Sequence, residues 1–102
     1  MQKKLSRKSI IKKPTAYILI NTEPAREAEV INALQKMEQV KEVYTIYGKF
    51  DIIAKVEFDS MDILRELVFE KIRSLPVKST ETAIVALSPV KYPVSMRSEE
   101  LE

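Results

Sequence analysis

Short β-forming runs alternate with two stretches of helical periodicity between Thr15 and Ser88. Thr15 to Thr22, TAYILINT, is rich in β-branched and aromatic residues and predicts a strand. Its apolar positions fall on both faces, Ala16, Ile18 and Ile20 on one and Tyr17 and Leu19 on the other, which marks a strand in the middle of a sheet. Pro24 suits a first helical turn, with Thr22 or Glu23 near the cap, and Ala28, Val30, Ile31, Leu34 and Met37 recur at helical spacing. These predict a helix from about Pro24 to Glu38. Val40 to Tyr47, VKEVYTIY, and Phe50 to Phe58, FDIIAKVEF, read as a hairpin closed by Gly48 and Lys49. In the second of these strands Phe50, Ile52, Ala54 and Val56 share one face, opposite Asp51, Ile53, Lys55 and Glu57. Asp59 or Ser60 can cap a second helix whose stripe is Ile63, Leu64, Leu67, Val68, Ile72 and Leu75, ending before Pro76. Val77 to Ser88 predicts the last strand, and Pro89 and Pro93 break the pattern beyond it.

The order β-α-β-β-α-β predicts an α+β, ferredoxin-like fold: a four-stranded antiparallel sheet with two helices on one face. A weak internal repeat agrees, since Leu34-x-x-Met37-x-x-Val40-Lys41 and Ile72-x-x-Leu75-x-Val77-Lys78 each join a helix end to a following strand. Right-handed crossovers put the first and third strands at the centre. One sheet face is then left bare, carrying Tyr17 and Leu19 (or Ile18 and Ile20) together with side chains of the Phe50 to Val56 strand. An apolar patch of that kind marks an association surface. It predicts face-to-face dimerisation, in the manner of a dimeric α/β-barrel, with Tyr17, Leu19 and Ile53 at the interface.

Composition narrows the chemistry. The 102 residues fit one domain, read as 15–92, between a basic leader at 1–14 and a polar tail at 93–102. There is no Cys, His or Trp, which removes disulfides, Cys-based zinc sites, thiol nucleophiles and the usual general base, and predicts no catalytic residue, metal or cofactor. A single glycine excludes both glycine-rich phosphate loops. No apolar run approaches the roughly 18 residues a membrane span needs, so a cytoplasmic protein is expected. The net charge of +2 hides an uneven distribution, because Lys3, Lys4, Arg7, Lys8, Lys12 and Lys13 crowd the leader without an acid. Such an arm can neutralise nucleic-acid phosphates or simply keep the chain soluble.

Val40 to Ala54, VKEVYTIYGKFDIIA, and Val77 to Leu87, VKSTETAIVAL, resemble the effector domain of the Lrp/AsnC regulators, the leucine-responsive and asparagine regulator family. The resemblance covers about Thr15 to Tyr92. It implies dimerisation through the sheets, assembly of dimers into rings, and binding of an amino acid between dimers. The family's Gly-x-aromatic-Asp turn is matched by Gly48-Lys49-Phe50-Asp51, and its Thr-x-Thr feature by Thr80 and Thr82. By that resemblance Asp51 pairs with a ligand ammonium, the Gly48 turn presents backbone groups to the ligand carboxylate, and Thr80 and Thr82 add hydroxyls. Charge-assisted contacts of this kind distinguish a zwitterion from neutral metabolites. Phe50 stands where the family often has Tyr, and the helix-to-strand links lack the glycine common there. With no helix-turn-helix in front of the first strand, the resemblance is to the stand-alone domain, the RAM domain, and direct sequence-specific DNA recognition is not expected.

The function expected is therefore an amino-acid-sensing oligomerisation module that modulates transcriptional regulators, its partners being copies of itself and full-length members of the family. Ordinary readings compete: Gly48 supplies a positive φ, Asp51 caps a turn, and the threonines are β-formers. On those, the chain is a constitutive assembly partner without a ligand. An ACT-like metabolic regulatory domain is a nearer rival than an enzyme, whose proton shuttle would fall to Tyr17, Tyr44, Tyr47 or Asp51. An RNA-recognition sheet needs stacked aromatics, and Gly48 to Lys55 offers only Phe50.

Overall fold

The computed structural model describes residues 13–86, and the leader through Lys12 and everything from Leu87 onward, the polar tail included, lie outside the described residues. Four strands, β1 (Thr15–Thr22), β2 (Val40–Thr45), β3 (Ile52–Glu57) and β4 (Val77–Ile84), form one sheet in the order β2-β3-β1-β4. All neighbours are antiparallel. Helix α1 (Glu27–Gln35) joins β1 to β2, and α2 (Met61–Glu66), continued by a π-helical segment at Leu67–Ile72, joins β3 to β4. This is the expected ferredoxin-like βαββαβ topology, with β1 and β3 central.

β1 and β3 keep the strict two-residue alternation of half-covered strands. Ala16, Ile18, Ile20, Ile52, Ala54 and Val56 are all 0% exposed, and all of these but Ala54 share one core cluster with Val30, Leu34, Leu64, Leu67, Val68 and Ile72 from the helices. Tyr17, Leu19, Ile53 and Lys55 point the other way, since the register pairs Tyr17 with Lys55 and Leu19 with Ile53. The bare face thus carries Tyr17 and Leu19, not Ile18 and Ile20. Of the Phe50 to Val56 strand it carries the Ile53 and Lys55 side.

Several boundaries differ from the sequence-based expectation. Helix α1 begins at Glu27, because Ala25 takes φ 64° and breaks the path from Pro24. Its N-cap is Arg26, without a side-chain cap, and Thr22 and Glu23 do not serve. Glu23 instead accepts a turn hydrogen bond from the Arg26 N–H at 3.1 Å. Its C-terminus falls at Gln35, short of Glu38. β2 stops at Thr45 and β3 starts at Ile52, so the hairpin is closed by Ile46 to Asp51 and not by a two-residue turn. The Ile46 N–H closes it on the Asp51 carbonyl at 2.9 Å. Ser60 caps α2, its Oγ accepting from the Ile63 N–H at 3.3 Å. The π-helical turns end with Arg73 N–H donating to the Val68 carbonyl at 3.1 Å, which keeps Leu67, Val68 and Ile72 buried while Phe69 turns outward. β4 ends at Ile84.

Leu34 is fully enclosed between α1 and the sheet. Leu34→Ala is expected to lower unfolding free energy by about 2 to 5 kcal/mol, whereas Phe69→Ala, at an exposed position, costs under about 1 kcal/mol. Denaturant titration of the two variants checks this.

Candidate functional site

The C-terminal end of β1 gathers polar groups that the middle of the sheet excludes. Asp51 donates its N–H to the Ile20 carbonyl at 2.9 Å, which docks the end of the β2–β3 turn on β1. Its carboxylate Oδ2 then accepts from the Thr22 N–H at 2.9 Å and from the Thr22 hydroxyl at 3.4 Å. Oδ1 accepts nothing among the described residues. On the other edge of β1, Asn21 Nδ2 donates to Ser79 Oγ at 3.2 Å and the Glu23 N–H to the Pro76 carbonyl at 2.9 Å. The turn and the start of β4 are thereby both tied to one strand end.

Thr22 is a functional candidate that sequence reasoning placed near a helix cap. It is the one buried polar residue among those described, at 6% exposure. The signal was available: Thr22 continues the buried series Ala16, Ile18, Ile20, and a polar residue at such a register position needs a partner.

Gly48 has φ 140°, a region that side chains disfavour, while a Cβ there would meet nothing within 4 Å. Its requirement is backbone freedom alone. Phe50 is half-buried, and the Lys49 ammonium lies 5.9 Å from its ring centroid. Thr80 pairs with Ile20 and Thr82 with Ile18, on the face that the helices cover elsewhere. Gly48, Phe50 and Asp51 are therefore brought together, with Thr80 at the same end of the sheet and Thr82 one register pair further in. Asp51 lies on the β3 edge of β1 and the threonines on β4, a separation of roughly 10 Å by two strand spacings.

The bare face has its own polar network. Tyr44 donates its hydroxyl to Glu42 Oε1 at 2.8 Å, and Glu42 Oε2 faces Lys55 Nζ at 3.8 Å. The hydrogen bond to Glu42, aided by the nearby carboxylate charge, raises the Tyr44 phenol above its ordinary value. Of the basic leader residues, Lys13 is described, and its Nζ sits 3.4 Å from Asp59. Lys3, Lys4, Arg7, Lys8 and Lys12 lie outside the described residues. Among the described residues no cluster of three or more acidic, His or Cys side chains is placed to hold a metal ion, and no helix is long and apolar enough to cross a membrane.

Comparison with known proteins places this geometry. The family model for the Lrp/AsnC ligand binding domain matches residues 15–95. The solved structure of hypothetical protein PHS023 from Pyrococcus horikoshii is 42% identical, with a TM-score of 0.68 over 74% of this chain and 92% of that one. The HTH-type transcriptional regulator FL11 of Pyrococcus abyssi is 35% identical over 71 residues, which are 69% of this chain and 46% of that protein. The chain thus spans under half the length of the curated regulators it matches first. A transcriptional regulator of Neisseria meningitidis, solved as a complex with L-Met, shares the fold at 18% identity and a TM-score of 0.69, covering 99% of this chain and 75% of that one.

Two outcomes follow from the geometry. Asp51→Ala leaves the half-buried Thr22 N–H without its acceptor and is expected to cost about 1 to 3 kcal/mol, with Asp51→Asn losing less, by denaturant titration. In a spectrophotometric titration Tyr44 ionises above the ordinary tyrosine range, and Glu42→Gln brings its midpoint down.

Proposed function

The chain belongs to the Lrp/AsnC family through its ligand-binding domain, and on that premise we propose that it is an effector-binding and oligomerisation module of a transcriptional regulator system, taking an amino acid at the Gly48–Asp51 turn. The observation that carries this is the anchored carboxylate. Asp51 is fixed by its own N–H and by Oδ2, so Oδ1 is held in place with an acceptor position to spare. A preorganised anion of this kind suits an ammonium group. The peptide groups around Gly48, free of any side chain, suit the carboxylate. The L-Met held by the Neisseria regulator agrees with an amino-acid effector.

The placement of Thr80 and Thr82 adds a constraint. One small amino acid spans too little to touch Asp51 and both threonines of the same chain, roughly 10 Å away across β1. A ligand that uses all three takes them from two chains, at an interface between dimers built through Tyr17, Leu19 and Ile53. Residues 15–92 then form the functional unit, acting on copies of itself or on full-length regulators.

The Thr22 clasp also favours a second reading, in which Asp51 only closes the turn and the module assembles without a ligand. A thermal-shift screen against the twenty amino acids at millimolar concentration separates the two. Ligand at a hundred times its dissociation constant adds about 2.7 kcal/mol. The unfolding midpoint should rise by several degrees for one or a few amino acids, and Asp51→Asn should abolish the rise. A flat response to all twenty supports the constitutive assembly partner.

A further inference from the structure

The outer flank of α2 carries apolar side chains that nothing among the described residues covers. Ile63 turns toward the α1–β2 link, where it lines a cavity with Glu38 and Gln39. Met61 and Arg65 each stand two residues from Ile63, a little over half a turn, and so lie on the opposite flank, with Phe69 one turn further on. That flank overlooks β4, the strand at the sheet edge away from β2. Met61 is 45% exposed and Phe69 60%. Ile84, on the helix side of β4 by its pairing with the buried Ala16, is 47% exposed. The π-helical segment sets Phe69 outward, with the Arg73 guanidinium 6.0 Å from its ring centroid.

The chain that leaves β4 starts beside this flank. The Val85 N–H donates to the Thr15 carbonyl at 2.9 Å and the Phe58 N–H to the Pro14 carbonyl at 3.1 Å, so β4 ends next to the segment that leads into α2. Leu87 to Glu102 continue from there, outside the described residues. Their sequence alternates strictly: Val90, Tyr92, Val94 and Met96 fall on one side of an extended chain, and Lys91, Pro93 and Ser95 on the other. Pro93 bars a helix there. The spacing fits the flank, since Tyr92 to Met96 spans about 13 Å when extended and Met61 to Phe69 rises about 12 Å along a helix.

Charge fits as well. Glu99, Glu100 and Glu102 follow Met96, while Lys71 and Arg73, just past Phe69, form no ion pair among the described residues. The bare sheet face offers the reverse, because Glu42, Glu57 and Glu81 on it outnumber Lys55. We propose that residues 90–96 form an extended strap across the outer flank of α2 in the same chain. Val90 lies beside Ile84, Tyr92 over Met61 and Met96 over Phe69, and the acidic end meets Lys71 and Arg73. The surface uses neither the Gly48 turn nor the bare face, so it does not rest on the function assigned there.

The test is a spin-label experiment on the full chain. There is no native cysteine, so Ser95→Cys, on the outward side of the strap, takes a single nitroxide. Backbone NMR signals of residues 65–73 should lose at least half their intensity, while those of β2, on the far edge of the sheet, keep theirs. In an equimolar mixture of labelled, isotopically unenriched chain with unlabelled, enriched chain, refolded together, the loss should fall at least threefold, because each strap serves its own chain. Tyr92→Asp, and separately Phe69→Ala, should each reduce the loss at least twofold with far-ultraviolet circular dichroism unchanged. Full intensity at residues 65–73, a loss centred on Tyr17, Leu19 and Ile53, or a loss that survives both variants would overturn the proposal. An undiminished loss in the mixture would overturn it too, and would give the flank to the same segment of a second copy.

Discussion

The apolar character of β1 on both of its faces is the constraint from which the rest follows. Ala16, Ile18 and Ile20 lie fully enclosed under the helices, while Tyr17 and Leu19 on the same strand face away from them. Two helices can cover one sheet face only. A chain of this size buries a limited fraction of its surface alone, and an apolar second face on the central strands is surface that a second copy can remove from water. Glu42, Lys55 and Tyr44 at the margin of that face hold one another in a polar network, which gives the surface a rim as well as a centre.

Because the middle of β1 is apolar on both sides, chemistry is displaced to its two ends. At one end Asp51, Thr22, Asn21 and Ser79 satisfy each other and lock the β2–β3 turn and β4 onto the strand. At the other, the bulge at Lys41 and the half-buried Gln39 leave polar groups unmatched beside a cavity. The same strand therefore links the bare face to the turn: the Ile20 carbonyl that receives Asp51 lies one residue from Leu19 on that face.

Topology was legible in the sequence because period-two and helical patterns are strong where burial is one-sided, as in Ile52, Ala54 and Val56 or in Leu64, Leu67 and Val68. Boundaries were not, for local reasons. Pro24 promises a helix start, yet Ala25 adopts a positive φ that delays it to Glu27. Gly48 and Lys49 look like a two-residue turn, but docking Asp51 on Ile20 lengthens the connection to Ile46 through Asp51. The π-helical segment has no periodic signature that separates it from an α-helix. Asp51 and Gly48 were found by motif, whereas Thr22 matters through a tertiary partner, which only the folded chain displays.

On the proposed function the bare face of the sheet is where the chain meets another copy, and sedimentation velocity tests this most directly. The full chain at micromolar concentration should sediment as a dimer or a larger assembly. Leu19→Asp, which sets a charge at the centre of that face, should sediment as a monomer with unchanged far-ultraviolet circular dichroism. A wild-type chain that stays monomeric, or a Leu19→Asp variant that assembles as the wild type does, would contradict the account.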